Sequence, residues 1–421
     1  MPRRLRVRTT PVRLRLLLAV LIVGTLGWGA LAAAVVGTQA GAASDVVTSA
    51  EPLSRDAQQM YEKLADADIT VSTGFLQGNG DEGAMVSDQE RYDSDLATAT
   101  ADLRAITTES NGDPAVSASL LTLNQDLPVY SRYVADGQTY DSVGLLAGAS
   151  YTEVSSEEMR ETLLPAAAQV YTGENARLNS ASAQGSGLPL IVVVLVAAIV
   201  IGYLLIRAQR WLTRRTNRRL NLGLLFATGV GAIAVIWLVV AFGIARANLD
   251  HASAQGTVPI QTLAQADITA VQARGDETLN LVSRAGDGSA FQQDFTAKKA
   301  GLASLLASAQ SASGPAGATA AGAARGAANS FFTLNSQVAV ADQDSRYATE
   351  TSLVIGSGTS TFDSLDSDIT TAINDGQAVF RQSASAGSSA YDGLVAGIII
   401  AALLMAGGCL QGLSGRLAEY R

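Results

Sequence analysis

Two uncharged apolar runs, Leu188–Ile206 and Leu222–Ala245, flank a stretch with six arginines and no acid. The runs are 19 and 24 residues long. A helix rises about 1.5 Å per residue, so roughly 20 residues cross a hydrocarbon layer of about 30 Å. Each run is therefore expected to span a membrane. Arg-rich turns stay on the cytoplasmic side, so the pair reads as a transmembrane hairpin with residues 207–221 inside.

Two further apolar runs complete the pattern. Leu16–Val36 follows a basic N-terminal segment, residues 1–15, and Leu394–Leu413 precedes a short tail, residues 414–421. Four spans put both termini and the central turn in the cytoplasm of a multi-pass plasma-membrane protein. Charge agrees with that orientation. The inner segments carry a net +13 and the outer ones −22, which together give the chain's −9. The first run is 21 residues long, beyond the roughly 7–15 of a signal-peptide core, so an uncleaved anchor is expected.

The outer segments, 37–187 and 246–393, are each long enough to bury a core. They hold no cysteine, since the only one, Cys409, lies in the last span. Ala40–Gln77 has helical composition and ends at the glycine-rich Gly78–Gly83. Tyr92, Leu96, Ala99, Leu103 and Ile106 form one apolar stripe at 4-3-4-3 spacing, which predicts an amphipathic helix over Met85–Glu109. A third helix is expected over Ala115–Tyr140, perturbed near Pro128. A fourth starts near Ser150 and is kinked or interrupted by Pro165.

The second segment repeats the first. Leu64-Ala-Asp-Ala-Asp-Ile-Thr70 returns as Leu263-Ala-Gln-Ala-Asp-Ile-Thr269, an offset of 199 at which Tyr92 meets Phe291 and Leu103 meets Leu302. The Ala/Gly stretch Ser311–Gly326 replaces a short turn of the first segment, and Gly356–Ser360 separates the last two outer helices. The expected fold is an all-α membrane protein: four transmembrane helices and two extracytoplasmic up-down four-helix bundles in tandem repeat.

Little chemistry is on offer. His251 is the only histidine, and one imidazole makes neither a catalytic triad nor a metal site. Gly78–Gly83 spells G-x-G-x-x-G, but no strand precedes it and Asp81 and Glu82 would repel a phosphate. No enzyme activity, cofactor, metal or nucleic-acid partner is expected. The uncharged spans argue against ion-coupled transport. Gly393, Gly397, Gly408 and Gly412 give two G-x-x-x-G spacings in the last span, which suit close packing among the protein's own spans or against a second copy in a homodimer. If the second span continues as a helix, Arg207, Arg210, Arg214 and Arg218 line one face of it, near membrane lipid. They anchor the hairpin and form the main cytoplasmic surface through which an output would leave.

Leu127-Pro-Val-Tyr130, Gly148-Ala-Ser-Tyr151, Glu158-Met-Arg160 and Leu164-Pro-Ala-Ala167 resemble the GlnX family of actinobacterial membrane proteins, as does the four-span layout. The resemblance implies a signalling relay. GlnX-like proteins work with an extracytoplasmic amino-acid-binding lipoprotein of the GlnH type and with the cytoplasmic serine/threonine kinase PknG. The expected function is thus a non-enzymatic, receptor-like relay of amino-acid availability. The alternatives are a scaffolding protein of the envelope and a direct, chemoreceptor-like sensor. Arg132 and Arg160 are the candidate ligand-facing cations for the last of these, though arginine is mostly a surface residue.

Overall fold

The structure is a computed structural model describing residues 10–77, 82–110, 113–143, 147–185, 188–216, 221–282 and 289–418. All its elements are helices: α1 (Thr10–Asp45), α2 (Glu51–Gln77), α3 (Glu82–Glu109), α4 (Pro114–Ser142), α5 (Ala147–Glu158), α6 (Leu164–Gly185) and α7 (Leu188–Thr216), then α8 (Leu222–Ala252), α9 (Val258–Val282), α10 (Ser289–Ala312), α11 (Pro315–Gln343), α12 (Tyr347–Ser352), α13 (Thr359–Ser389) and α14 (Leu394–Ala418). No strand occurs among the described residues. The Gly78–Gly83 stretch lies largely outside them. The protein is all-α, with four helices long and apolar enough to cross a membrane. The chain forms two compact units.

One unit gathers the apolar helices α1, α7, α8 and α14. Its exposed surface is rich in Leu, Val and Ile, such as Val193, Ile199, Ile236 and Leu403, which suits a lipid environment. Its contacts depend on small residues. A methyl on Gly29 of α1 would overlap Ala402 of α14, and one on Gly223 of α8 would lie 2.5 Å from the Gly412 nitrogen. The Trp28 indole donates to the Val194 carbonyl at 3.2 Å, tying α1 to α7.

The other unit holds the outer segments. The expected stripe on α3 faces inward, with Tyr92, Ala99, Leu103 and Ile106 buried. Both segments contribute to one core, in which Leu64, Leu123 and Met159 of the first join Leu263, Phe331 and Leu365 of the second. The sequence predicts two separate bundles instead. α2 and α9 pack on each other, which joins the apolar faces of the two segments and removes them from water together.

Three π-helical turns have one sequence cause. Val46–Ala50, Met159–Leu163 and Ser253–Thr257 each precede a proline by two residues: Pro52, Pro165 and Pro259. A proline ring lacks an N–H and clashes with the carbonyl four residues back. That carbonyl belongs to Thr48, Glu161 or Gln255, each in the middle of its turn. The turn widens and the helix continues. Pro165 therefore bulges the helix without interrupting it, and Pro128 lies inside an unbroken α4. Gly356–Ser360 does not separate two helices either, because a fourth π turn, Leu353–Gly358, carries the chain into α13. Ser311–Gly326 is likewise no long linker: α11 starts at Pro315, and the alanines that follow are strong helix formers.

The repeat is real in architecture but its register differs from the sequence match. Pro114 and Pro315 open α4 and α11, and Tyr130 and Phe331 occupy the same place along them. Tyr130 packs on Tyr92 at 6.5 Å between ring centres, and Phe331 packs on Phe295 at 5.9 Å. Tyr92 thus corresponds to Phe295, one helical turn beyond Phe291. Pro52 and Pro259, each just past a π turn, set the register of α2 against α9.

Each segment also buries a polar network. In the second, Arg274 is 1% exposed. It donates to Glu277 at 2.6 Å, to the Val354 carbonyl at 3.0 Å and to Thr359 at 3.0 Å. Asn335 donates to the other Glu277 oxygen at 2.9 Å.

Candidate functional site

The polar network of the first segment centres on Asp68 of α2. Its carboxylate accepts from Ser156 at 3.0 Å and faces the Tyr130 hydroxyl at 3.5 Å. Burial raises its pKa to about 6, against the opposing effects of the Ser156 hydrogen bond and the Arg160 charge.

Arg160 sits in the π turn Met159–Leu163, which Pro165 enforces. Its guanidinium donates to Asp276 of α9 at 3.1 Å and lies 5.1 Å from the centre of the Phe291 ring. Lys298 of α10 reaches the other Asp276 oxygen at 2.5 Å. Asp276 is 1% exposed, and burial raises its pKa despite the pull of Lys298 and Arg160. A cleft of about 250 Å³ opens here, with Tyr61, Asp68, Arg160, Gln272, Asp276 and Lys298 among its walls. Gln272 donates to the Tyr61 hydroxyl at 2.7 Å. The cleft thus joins the first outer segment to the second and presents both signs of charge beside hydrogen-bonding groups. It suits a small polar solute or a polar side chain from a docked protein.

A second charged cluster draws on α2, α3, α9 and α13. Lys63 contacts Asp66 at 2.9 Å and Glu62 and Asp95 at 3.5 Å. Asp267 of α9 is 1% exposed. Burial first, then the nearby Glu62, Asp366 and Asp66 charges, hold its carboxyl well above the usual range. Burial likewise raises Asp366 to about 7.

Three of the four short motifs of the first segment reach the Asp68 cleft, and the fourth packs on α4. Tyr130 meets Asp68, and Arg160, Leu164 and Pro165 line the cleft. Gly148 lets α5 approach α4 so closely that a methyl there would lie 3.0 Å from the Asp141 nitrogen, and Tyr151 stacks on Tyr140 at 5.2 Å. Of the two candidate arginines, Arg160 is partly buried and ion-paired, while Arg132 is exposed over the Tyr133 ring. Sequence reasoning missed Asp68, Asp276 and Lys298. The one usable signal for Asp68 was its place in the repeated Ala-Asp-Ile-Thr stretch.

The other sequence candidates lie in the apolar unit. Gly397 faces the Trp237 ring, and Gly408 and Gly412 meet Gly223 and Asn221, so these three pack α14 on α8. Gly393 precedes α14 with φ +71°, and a methyl placed on it would meet nothing within 4 Å. Arg207 and Arg210 are exposed on α7, which continues to Thr216; Arg207 donates to the Tyr203 hydroxyl at 3.3 Å. Arg214 lies in α7, but its side chain, like the whole of Arg218, is outside the described residues. His251 is exposed in the last turn of α8.

No curated protein and no solved structure matches the chain. Residues 42–183, which hold the first outer segment with Asp68 and Arg160, match the family model of the actinobacterial sensor domain, and this supports a sensing and signalling role.

Proposed function

We propose that this chain is a non-enzymatic transmembrane relay that passes extracytoplasmic amino-acid availability to the cytoplasm. In this reading a solute-binding lipoprotein docks on the outer helices. The signal leaves through the Arg-rich turn, where Arg207 and Arg210 lie exposed on α7, and reaches a serine/threonine kinase. Both termini lie in the cytoplasm. The observation that carries the reading is the Arg160–Asp276 ion pair, which links the sensor-matched segment to the second one. A partner that displaces Arg160 acts on both segments at once. Shear of packed helices by about 1–2 Å is a known way to transmit such an event.

The test is deletion of the gene, followed by measuring phosphorylation of the kinase's substrate as amino acids are added. Loss of the response, restored by the wild-type gene but not by Arg160→Gln, supports the relay. An unchanged response overturns it. Crosslinking from membranes then identifies the partners on each side.

A second reading is favoured by the cleft itself. Arg160, Lys298, Asp68 and Asp276 offer complementary charges for a zwitterionic solute bound directly. A rise in melting temperature of the purified chain with free amino acids, without the lipoprotein, would select direct sensing over relayed sensing.

A further inference from the structure

A second cavity of the outer helices lies among α2, α3, α4 and α5 of the first segment. It has a volume of about 390 Å³. Two helix-interior glycines, Gly74 and Gly137, line it. A methyl on Gly74 would lie 3.4 Å from Asp88 Oδ2, and one on Gly137 would lie 3.4 Å from Tyr151 and Thr152 of α5, so a larger side chain at either position would intrude on the cavity walls.

The second segment shows what filling the hollow looks like. Gly137 stands seven residues past Tyr130, and Val338 stands seven past Phe331. Gly74 stands 22 residues past Pro52, and Leu281 stands 22 past Pro259. Leu281 and Val338 are buried and pack together with Val354. One turn back, Thr70 and Val134 line the first segment's cavity, whereas their counterparts Glu277 and Asn335 are joined by a 2.9 Å hydrogen bond. The same architecture is plugged in one repeat and hollow in the other. The hollow one is the repeat that matches the sensor domain.

The walls state what would fit. Val71, Phe75 and Val134 offer apolar surface, and Asp88 and Asp141 supply two carboxylates. No lysine or arginine is among the described residues that line the cavity. Asp88 Oδ2 is buried without a hydrogen bond, and Arg91, the cation acting on it, is paired with Asp363 at 3.5 Å. Tyr92, 6% exposed, also lines the cavity, and its hydroxyl lies near Ser131. A buried carboxylate oxygen without a hydrogen bond, that of Asp88, calls for a donor, and one that carries positive charge suits it best.

We propose that this cavity is a binding site for a small organic ammonium with an apolar body. The ammonium group sits at Asp88, within reach of the Tyr92 end of the cavity, and the hydrocarbon part lies against Val71, Phe75 and Val134. Burial raises the pKa of both Asp88 and Asp141, the cost that a bound cation would relieve. The proposal extends the sensing reading without depending on it. Binding is measured directly, so a failed relay leaves it intact and failed binding leaves the relay untouched.

The test uses the full chain in lipid nanodiscs, with calorimetry and thermal shift. The probes are phenethylammonium, its neutral analogue 2-phenylethanol and the anion 3-phenylpropionate. The expected result is that phenethylammonium binds, the alcohol binds at least about ten-fold more weakly and the anion does not bind. Asp88→Asn should weaken the ammonium at least about ten-fold. Gly74→Leu, which introduces the residue found at 281, should abolish binding in a folded protein. Should Gly74→Leu fail to fold, Asp88→Asn decides. No binding of phenethylammonium, equal binding of the alcohol or the anion, or unchanged binding by Asp88→Asn overturns the proposal.

Discussion

Arg160 and Lys298, from different outer segments, donate to the two oxygens of a single buried carboxylate, that of Asp276. Removing either cation leaves the other to hold the charge. Arg160→Gln and Lys298→Gln should each cost about 1 kcal/mol of stability. The double variant should cost more than their sum by about 1 kcal/mol or more, because Asp276 then stays buried and unpaired. Denaturation of the solubilised chain followed by circular dichroism measures both values, and additive losses would count against the coupling.

Arg274 and Glu277 make a harsher case, since both are almost fully buried. Arg274→Met strands the Glu277 charge and should destabilise the protein by about 3–5 kcal/mol. The double replacement Arg274→Met with Glu277→Met should recover most of that loss, because two apolar side chains leave no charge unpaired. The melting temperatures of the two variants decide. A double variant no more stable than the single one would show that the network fixes geometry and not only charge.

Acid should stabilise the outer helices. The carboxyls of Asp68, Asp366 and Asp267 all titrate higher in the folded chain than in the unfolded one. Between the ordinary aspartate range near 4 and about 7, the folded state binds more protons, so stability falls as pH rises through that window. The melting temperature should be higher at pH 5 than at pH 8. Asp267→Asn, which removes the most deeply buried of these charges, should raise the pH 8 value and flatten the slope. A melting temperature that climbs from pH 5 to pH 8 would contradict this.

Glycines in the spans are not equivalent. A side chain on Gly223 meets the backbone of Gly408 and Gly412, whereas one on Gly27 meets nothing within 4 Å. Gly223→Val should therefore cost about 2 kcal/mol or more, and Gly27→Val should stay within about 0.5 kcal/mol. Thermal unfolding in detergent compares the two, with loss of expression counted as a loss for Gly223→Val.

How far the residues themselves revealed this fold depended on distance along the chain. Three helix starts were plain, because Leu188, Leu222 and Leu394 each begin an uncharged run and each begins a helix. The stripe from Tyr92 to Ile106 was plain for the same reason: its period is local. Arg160 was not, since its partner Asp276 lies 116 residues away and nothing near either residue announces the other. Register in the repeat was misleading. Ala-Asp-Ile-Thr recurs on α2 and α9, but Pro52 and Pro259 place those helices about two turns from that match, and the ring pairs place α3 and α10 about one turn from it. The shared core is not legible in the sequence, because an apolar helix face reads the same whether its neighbour belongs to its own segment or to the other.

The π turns have a further meaning. Each holds one residue more than an α turn spanning the same length, and two of the three proline-linked turns lie where α1 passes into α2 and where α8 passes into α9. An extra residue stored inside a hydrogen-bonded helix is slack. Taking it up or giving it out shifts the following helix by about 1.5 Å along its axis and about 100° around it, with no break in the chain of hydrogen bonds. Pro52 and Pro259 hold that slack at fixed addresses, so motion in these helices would come in steps of one residue and not as a continuous slide.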